Sequence, residues 1–343
     1  MIEKDSIKKI LIIKLRGIGD VVLSTIVLDN LKIDFPNARI DFLCDSPSKP
    51  GLEGLPQIDE IYILPKSLLS RIAIYIKIRK NRYDLVLDFY SNPSTAQLTF
   101  LSGARYRAGF PYKGRKWAYN LLGPSDRNRY HSALLHLELL NCISLTSSNE
   151  NLYFYVSKDD NLFADKWLRQ RTLHDKSFLG ISPSGGWASK KCDPEKFAEI
   201  AESTYKKYNL RALILWGPED YDDAVKIQKL LGDKAFLAPA TTIRQMAAFI
   251  SKCLFLIAND SGPMHISTAV KTPVLSIHGP TNPLHQGPYG SMHEWINLSE
   301  LDCIMCNLLD CPKNHECFQD LPLSRIMEKV ESLISKNNLL GVI

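Results

Sequence analysis

IIKLRGIGDVV, residues Ile12–Val22, is an apolar run that stops at Arg16-Gly17-Ile18-Gly19, places a carboxylate at Asp20 and then turns apolar again. A short apolar run bounded by glycine reads as a strand buried on both faces. The residues beyond it, VVLSTIVLDNLKIDF, put Val21, Leu28 and Leu31 on one face of a helix. Strand, glycine turn and helix in that order open a doubly wound α/β domain. The match to a dinucleotide fingerprint is partial. Gly17 and Gly19 supply G-x-G, but Val22 stands at the third glycine and Asp20 would repel a pyrophosphate. Asp20 therefore has two readings. It caps the helix, which its acceptor oxygen and the macrodipole favour, or it offers a carboxylate at a strand's carboxyl end to take a proton from a substrate hydroxyl.

The alternation continues outward. ARIDFLC, EIYIL and YDLVLDF are strand-like, while SLLSRIAIYIKIRKNRY and STAQLTFLSG are helical. It restarts after the helix DDNLFADKWLRQRTL. KSFLGISPSGG is a strand with a polar turn, followed by PEKFAEIAESTYKKY, RALILWG, a helix from Glu219 to Leu231, AFLA, TIRQMAAFISK, CLFLIAND and TPVLSIHG. Two α/β halves joined around residues 155–175 suit a chain of 343 residues, and two such domains face to face would form a cleft. With 45% hydrophobic and 23% charged residues the composition is that of a globular protein. No apolar window reaches the roughly 18 residues of a membrane span, and MIEKDSIKKI lacks a signal-peptide core, so a cytoplasmic protein is expected. A net charge of +5 gives no argument for nucleic acid.

Three loops of the second half end strands and carry polar groups. In SPSGGWASKK, Ser184, Gly185 and Gly186 can bring backbone N–H groups to an anion, and Lys190 and Lys191 add charge. In NDSGPMH, Ser261 and Gly262 stand where a helix begins, Asp260 could order the loop or bind a ribose hydroxyl, and His265 taken alone is an ordinary packed polar residue. In WGPED, Glu219 or Asp220 could meet a base or ribose, or only start the next helix. Together they describe a nucleoside-diphosphate pocket. No D-x-D pair follows a strand to hold a divalent ion, so Lys190 and helix dipoles are expected to supply the positive charge.

The stretches KILIIKLRGIGDVVLSTIVLDNL, YDLVLDF with LSGARYRAGF, LGISPSGGWASKKCDPEKFAEIA, LILWGPED and FLIANDSGPMHISTAVKTPVLSIHGPTNP make the chain resemble the heptosyltransferases of glycosyltransferase family nine over nearly its whole length. The resemblance implies the GT-B architecture, two Rossmann-like domains with the donor in the C-terminal one. It also implies inverting transfer of a sugar, usually heptose from ADP-heptose, to a lipopolysaccharide core. Carried over by position, it makes Asp20 the general base and Lys190 the donor-phosphate ligand. Glu219 would lie near the adenosine, and Asp260, Ser261, Gly262 and His265 along the diphosphate and sugar. Ser184, Gly185 and Lys191 complete the expected donor contacts, and Arg16, Gly17, Gly19, Arg105 and Arg107 the expected acceptor contacts. The implied domains are 1–158 for the acceptor, 159–320 for the donor, and 321–343 as a helix that could return to the N-terminal domain. Cys192 and Pro263-Met264 depart from the family pattern beside the donor.

Two features are open. SLLSRIAIYIKIRKNRY and GARYRAGFPYKGRK mix apolar residues with Arg71, Lys77, Arg79, Lys80, Arg82, Arg105, Arg107, Lys113, Arg115 and Lys116. That suits an anionic glycolipid at the cytoplasmic face of an inner membrane, or else a packed helix with a solvated basic side. CIMCNLLDCPKNHEC spaces Cys303, Cys306, Cys311 and Cys317 for a structural zinc, for reduced packing thiols, or for disulfides under oxidant. Catalysis itself is expected to need no cofactor. Three rivals are a transferase for another nucleotide sugar, a dehydrogenase, which Val22 argues against, and a silent binding protein, which would have lost Asp20 or Lys190.

Overall fold

The structure, a computed structural model, describes residues 2–112 and 114–342, so Lys113 lies outside the described residues. The chain divides into two compact units, Met1–Tyr155 and Val156–Ile343. The first holds β1 (Lys9–Ile13), β2 (Arg39–Cys44), β3 (Glu60–Ile63), β4 (Leu85–Asp88), β5 (Tyr106–Gly109) and β6 (Leu121–Leu122) in the order β3-β2-β1-β4-β5-β6, with every pairing parallel. The second holds β7 (Leu179–Ser182), β8 (Ala212–Ile214), β9 (Ala235–Leu237), β10 (Phe255–Asn259), β11 (Val274–Ile277) and β12 (Glu294–Ile296) in the order β12-β11-β10-β7-β8-β9, again parallel throughout. Each sheet is thus a doubly wound 3-2-1-4-5-6 arrangement. The direction of winding reverses between β1 and β4 in one and between β7 and β10 in the other. Ligands of such sheets bind outside the carboxyl ends of the strands at this reversal.

The central strands β4, β7 and β10 are buried at every position, which is why they read as apolar runs closed by one polar residue rather than as alternating ones. After β1 the chain forms a helix Ile18–Ser24, a 3-10 turn Thr25–Val27 and a helix Leu28–Asp34, with Val21, Leu28 and Leu31 all buried as the spacing predicts. The Ser24 and Thr25 hydroxyls donate back to the carbonyls of Val21 and Val22 at 2.7 and 2.6 Å, and such back-bonding bends helices. Helix Ser132–Cys142 has no clear period in sequence because Ala133, Leu135, His136, Leu137, Leu139 and Leu140 are buried all around it.

The C-terminal helix belongs to the second unit's core. Leu323–Lys336 buries Ile326, Val330, Leu333 and Ile334 in the second unit's own core, against β11, β12 and helix Pro194–Tyr208. Lys329 and Lys336 pair with Glu294 on β12 at 3.3 and 2.9 Å. The apolar stripe of this helix is covered by the second unit's own core. Helix Lys158–Arg169 likewise belongs to the second unit, setting Phe163 and Trp167 edge-on to Phe249.

Candidate functional site

The reversal of the second sheet brings two of the polar loops together. The side chain of Asn259, the last residue of β10, is buried and staples both arms of the loop after β7. It donates to Pro183 O at 2.8 Å and accepts from the Cys192 N–H at 3.2 Å. Between these arms, Lys190 ends a 3-10 turn, is 8% exposed and places Nζ 2.6 Å from Asp260 Oδ2. The ammonium also lies 4.1 Å from the centre of the Trp187 ring. The Trp187 indole N–H is buried without a hydrogen-bond partner, a donor awaiting an acceptor. Gly185 is required by close packing, since a Cβ there would lie 2.6 Å from Lys191 Cγ.

Asp260 is 4% exposed and also accepts from the Thr281 hydroxyl at 2.7 Å. Burial acts to raise its carboxyl, but neighbouring His278, Lys190 and His265 outweigh it and hold the group below the ordinary carboxylate range. Ser261 is the N-cap of helix Gly262–Ala269, and its side chain caps no N–H. The first N–H groups of this helix have no intrahelical partner, and they adjoin Lys190 through Asp260. His265 is buried in the first turn. The site therefore gathers an ammonium and a helix N-terminus, donors an anion needs, with a buried, unpaired indole N–H on the ring beside the ammonium.

Lys191 and Glu219 are used differently. Lys191 pairs with Asp220 at 2.6 Å and Asp223 at 3.8 Å and donates to Glu219 O, so it ties the loop after β7 to the loop after β8. The Glu219 side chain is exposed at the tip of the turn Pro218–Asp220. Beside this turn lies an open groove of about 600 Å³ lined by Trp216, Pro218, Tyr221, Leu237, Ala238, Pro239 and Ala240. Trp216 and Tyr221 meet edge to face at 4.6 Å, and Trp216 is fixed by an indole bond to Ala238 O at 2.8 Å. These aromatics are separated from the glycine-rich loop by some 30 residues. Their only sequence signal was the unusual tryptophan closing RALILW.

In the first unit the reversal carries Asp20. The helix N-cap is Gly17, with φ at 65°, and Asp20 is the third helical residue; its side chain caps no backbone N–H. The carboxylate turns back instead, Oδ1 lying 3.2 Å from Lys14 Nζ, and a Cβ on Gly17 would sit 3.3 Å from Oδ2. Lys14 has a side chain 8% exposed and Asp20 one 52% exposed, so a buried cation aims a solvent-facing carboxylate. Sequence reading passed over Lys14, whose signal was a lysine inside the run IIKL. Arg16, Asp20, Asp45 and Arg127 all lie near enough to influence the Tyr90 hydroxyl, whose pKa burial raises.

Arg105 and Arg107 are not brought to this place. Both stand at the amino end of β5, whereas Asp20 follows the carboxyl end of β1 in the same parallel sheet. Arg105 is bidentate to Glu3 at 2.9 and 2.8 Å, and Arg107 donates to the carbonyls of Ala118 and Ala104. Arg16, with Gly17 and Gly19, stays beside Asp20, and Arg127 is the cation that the sequence did not single out.

The cysteine segment is a brace. Ser189 donates from its N–H to Leu309 O at 3.1 Å and from its hydroxyl to Leu308 O. Met305 and Asn307 donate to Gly279 and Pro280. Cys303, Cys306, Cys311 and Cys317 are free thiols around one cavity of about 50 Å³. Among the described residues no group of three or more His, Cys, Asp and Glu side chains is set to hold a metal ion. Cys311 Sγ accepts the N–H groups of Lys313 and His315 at 3.4 Å each, and burial pushes the Cys317 thiol up to about 12.

The sequence profile of glycosyltransferase family 9 (heptosyltransferase) matches residues 71–315. Lipopolysaccharide heptosyltransferase 1 of Campylobacter coli is 25% identical over 293 residues, 80% of this chain and 84% of that protein. The crystal structure of a family 9 glycosyl transferase from Veillonella parvula superposes with a TM-score of 0.83 at 22% identity, over 96% of this chain and 97% of that one. The E. coli heptosyltransferase WaaC with ADP superposes with a TM-score of 0.72 at 15% identity, over 95% and 99% of the two chains. The fold class is thereby GT-B, with two doubly wound domains in series.

Proposed function

The chain belongs to glycosyltransferase family 9, the heptosyltransferases, and from that premise we propose that it moves heptose from ADP-heptose onto a lipopolysaccharide core or a related lipid-linked glycan, without a metal and with inversion. The observation that carries this reading is the donor constellation of the second unit. Lys190, the Trp187 indole N–H and the Gly262 helix N-terminus gather where a diphosphate would lie, and the Trp216–Tyr221 groove offers a flat apolar wall to a base. That the solved E. coli neighbour holds ADP supports adenine as the base.

In this mechanism an acceptor oxygen bonds to the anomeric carbon as the bond from that carbon to the diphosphate oxygen breaks. The electron pair leaves with ADP, and the hydroxyl proton passes to Asp20. A single displacement inverts the centre. Its transition state is oxocarbenium-like, so the catalytic task is to meet the negative charge building on the leaving group. Lys190 and the helix N–H groups do so. Lys14 aims the base, and Arg16 and Arg127 receive anionic groups of the acceptor.

The test is a calorimetric titration with ADP, GDP, UDP and their sugar conjugates in the presence of EDTA. Selective binding of ADP and ADP-heptose is expected, with quenching of Trp216 fluorescence. Preference for UDP or GDP would overturn the donor, and absence of binding would overturn the donor site.

We propose also that the protein works at the cytoplasmic membrane face through its first unit. Among the described residues no helix is long and apolar enough to cross a membrane. Residues 66–83 and 89–125 contain no Asp or Glu. On that stretch Leu69, Ile72, Ile76, Phe100, Leu101 and Trp117 are exposed, and Ile76, Arg79, Lys80, Phe100, Leu101 and Arg107 help line a groove of about 770 Å³. Each basic residue near an anionic bilayer is worth about 1 kcal/mol. Vesicles with anionic phospholipid are expected to sediment the protein, and high salt to release it. The double reversal Arg79→Glu with Lys80→Glu is expected to weaken binding at least about tenfold. Equal binding to neutral vesicles would sink the electrostatic part of this reading.

A further inference from the structure

Behind the donor lysine lies a chain of buried polar groups that the transfer step does not use. Ser276, His278 and Thr281 are fully buried, on and just after β11. Ser276 Oγ lies 2.8 Å from His278 Nε2, His278 Nδ1 lies 3.3 Å from Thr281 Oγ1, and Thr281 Oγ1 lies 2.7 Å from Asp260 Oδ2. Lys190 Nζ stands on the same carboxylate oxygen at 2.6 Å. The His278 backbone N–H bonds to Ile296 O at 2.9 Å and holds the ring's base in place.

With a neutral His278 ring, only one placement of protons satisfies the chain. A carboxylate can only accept, so the Thr281 hydroxyl must give its hydrogen to Asp260. The Thr281 oxygen is then an acceptor and takes the His278 Nδ1–H. His278 Nε2 must consequently accept from the Ser276 hydroxyl. Every bond points the same way, toward Asp260, and directed chains in a low-dielectric interior reinforce one another.

We propose that His278 is a positioning residue for the donor site: acting through Thr281, it fixes the Asp260 carboxylate and so sets where the Lys190 ammonium stands to receive the donor diphosphate. This rests on the donor reading of Lys190 given above. Burial pushes the His278 imidazole down to about 4, so the ring is neutral at physiological pH, as the required tautomer demands.

Five variants and one spectrum test it. His278→Phe and Thr281→Val are each expected to weaken ADP binding about tenfold, the size of one lost hydrogen bond to a charged network. Because both act through one chain, the double variant should bind no worse than Thr281→Val alone. His278→Asn, whose amide nitrogen takes the place of Nδ1, should recover most of the affinity, whereas His278→Gln, whose nitrogen takes the place of Nε2, should not. Unchanged ADP affinity in a folded His278→Phe, additive losses in the double variant, or equal rescue by Gln and Asn would each overturn the proposal. Ring nitrogen NMR of the unaltered protein is an independent arm that does not depend on any variant folding. An Nδ1–H tautomer for His278 is expected, and an Nε2–H tautomer would overturn the relay. If the unaltered protein binds no nucleoside diphosphate, the donor reading fails, and the tautomer alone then decides the relay.

Discussion

Asp20→Asn is expected to lower the turnover of sugar transfer by about 10²–10⁴-fold, the usual contribution of a positioned base, while ADP affinity stays within about twofold of the parent. The asparagine keeps the volume and can still accept from the buried Lys14 at the position where Asp20 Oδ1 lies 3.2 Å away. What it loses is the capacity to take a proton. Because Asp20 belongs to the first unit and the proposed donor groups to the second, binding of nucleotide and loss of turnover are expected to separate. Steady-state rates with isothermal titration of ADP check this. Loss of ADP affinity in Asp20→Asn, with turnover following it, would show that the carboxylate serves the donor and that the base lies elsewhere. Lys14→Met is a companion: it should lower turnover less than Asp20→Asn, since it unaims the carboxylate without removing it.

The second large effect belongs to Lys190→Ala. Removal of a preorganised donor to developing charge costs about 10²–10³ in rate, and ADP affinity should fall as well because, in the proposed donor reading, the ammonium contacts the diphosphate in the ground state too. There is also a stability consequence. Lys190 and Asp260 are paired at 2.6 Å with side chains 10% and 5% exposed, and stranding one partner of a buried pair costs about 3–5 kcal/mol. The sign with pH follows. In the native protein the Asp260 carboxyl is depressed, so its stabilising share is complete above about pH 4 and is lost as pH falls through the folded value. In Lys190→Ala one of the charges opposing burial is gone and the carboxyl moves up. The stability deficit of the variant should therefore shrink as pH falls from about 7 toward about 4.5. Thermal melts across this range test it, and a constant deficit would show that the Lys190–Asp260 pair does not govern the carboxyl. Adding Asp260→Asn to Lys190→Ala should restore much of the stability and none of the activity.

The element pattern was legible because parallel strands buried on both faces are mostly apolar. ILII, LVLD, LGIS and FLIAN are all recognisable as short apolar runs in the sequence. The polar loops that follow strands had to carry the chemistry, since loops within a parallel sheet's crossovers are where backbone and side-chain donors remain available. Asp20, Lys190, Asp260 and Gly262 were singled out on that basis. Helix Ser132–Cys142 was missed because burial on all sides erases the period, and the destination of helix Leu323–Lys336 was left open because an apolar stripe does not name the surface it will cover.

The sequence by itself determined that two strand-turn-helix halves would form, and which loops would be polar, because hydrophobic period and glycine placement are local properties of the chain. Tertiary structure alone decided which of those polar groups meet. Arg105 and Arg107 are as basic as Arg127, yet strand direction sends the first two to the far end of the sheet from Asp20. Lys14 finds Asp20, Asn259 joins Pro183 to Cys192, and His278 reaches Asp260 through Thr281. The last two are connections between loops brought together by the order β10-β7 and β10-β11. Hydrogen bonds and ion pairs act over about 3 Å, and only the order and register of strands far apart in the chain bring groups within that reach.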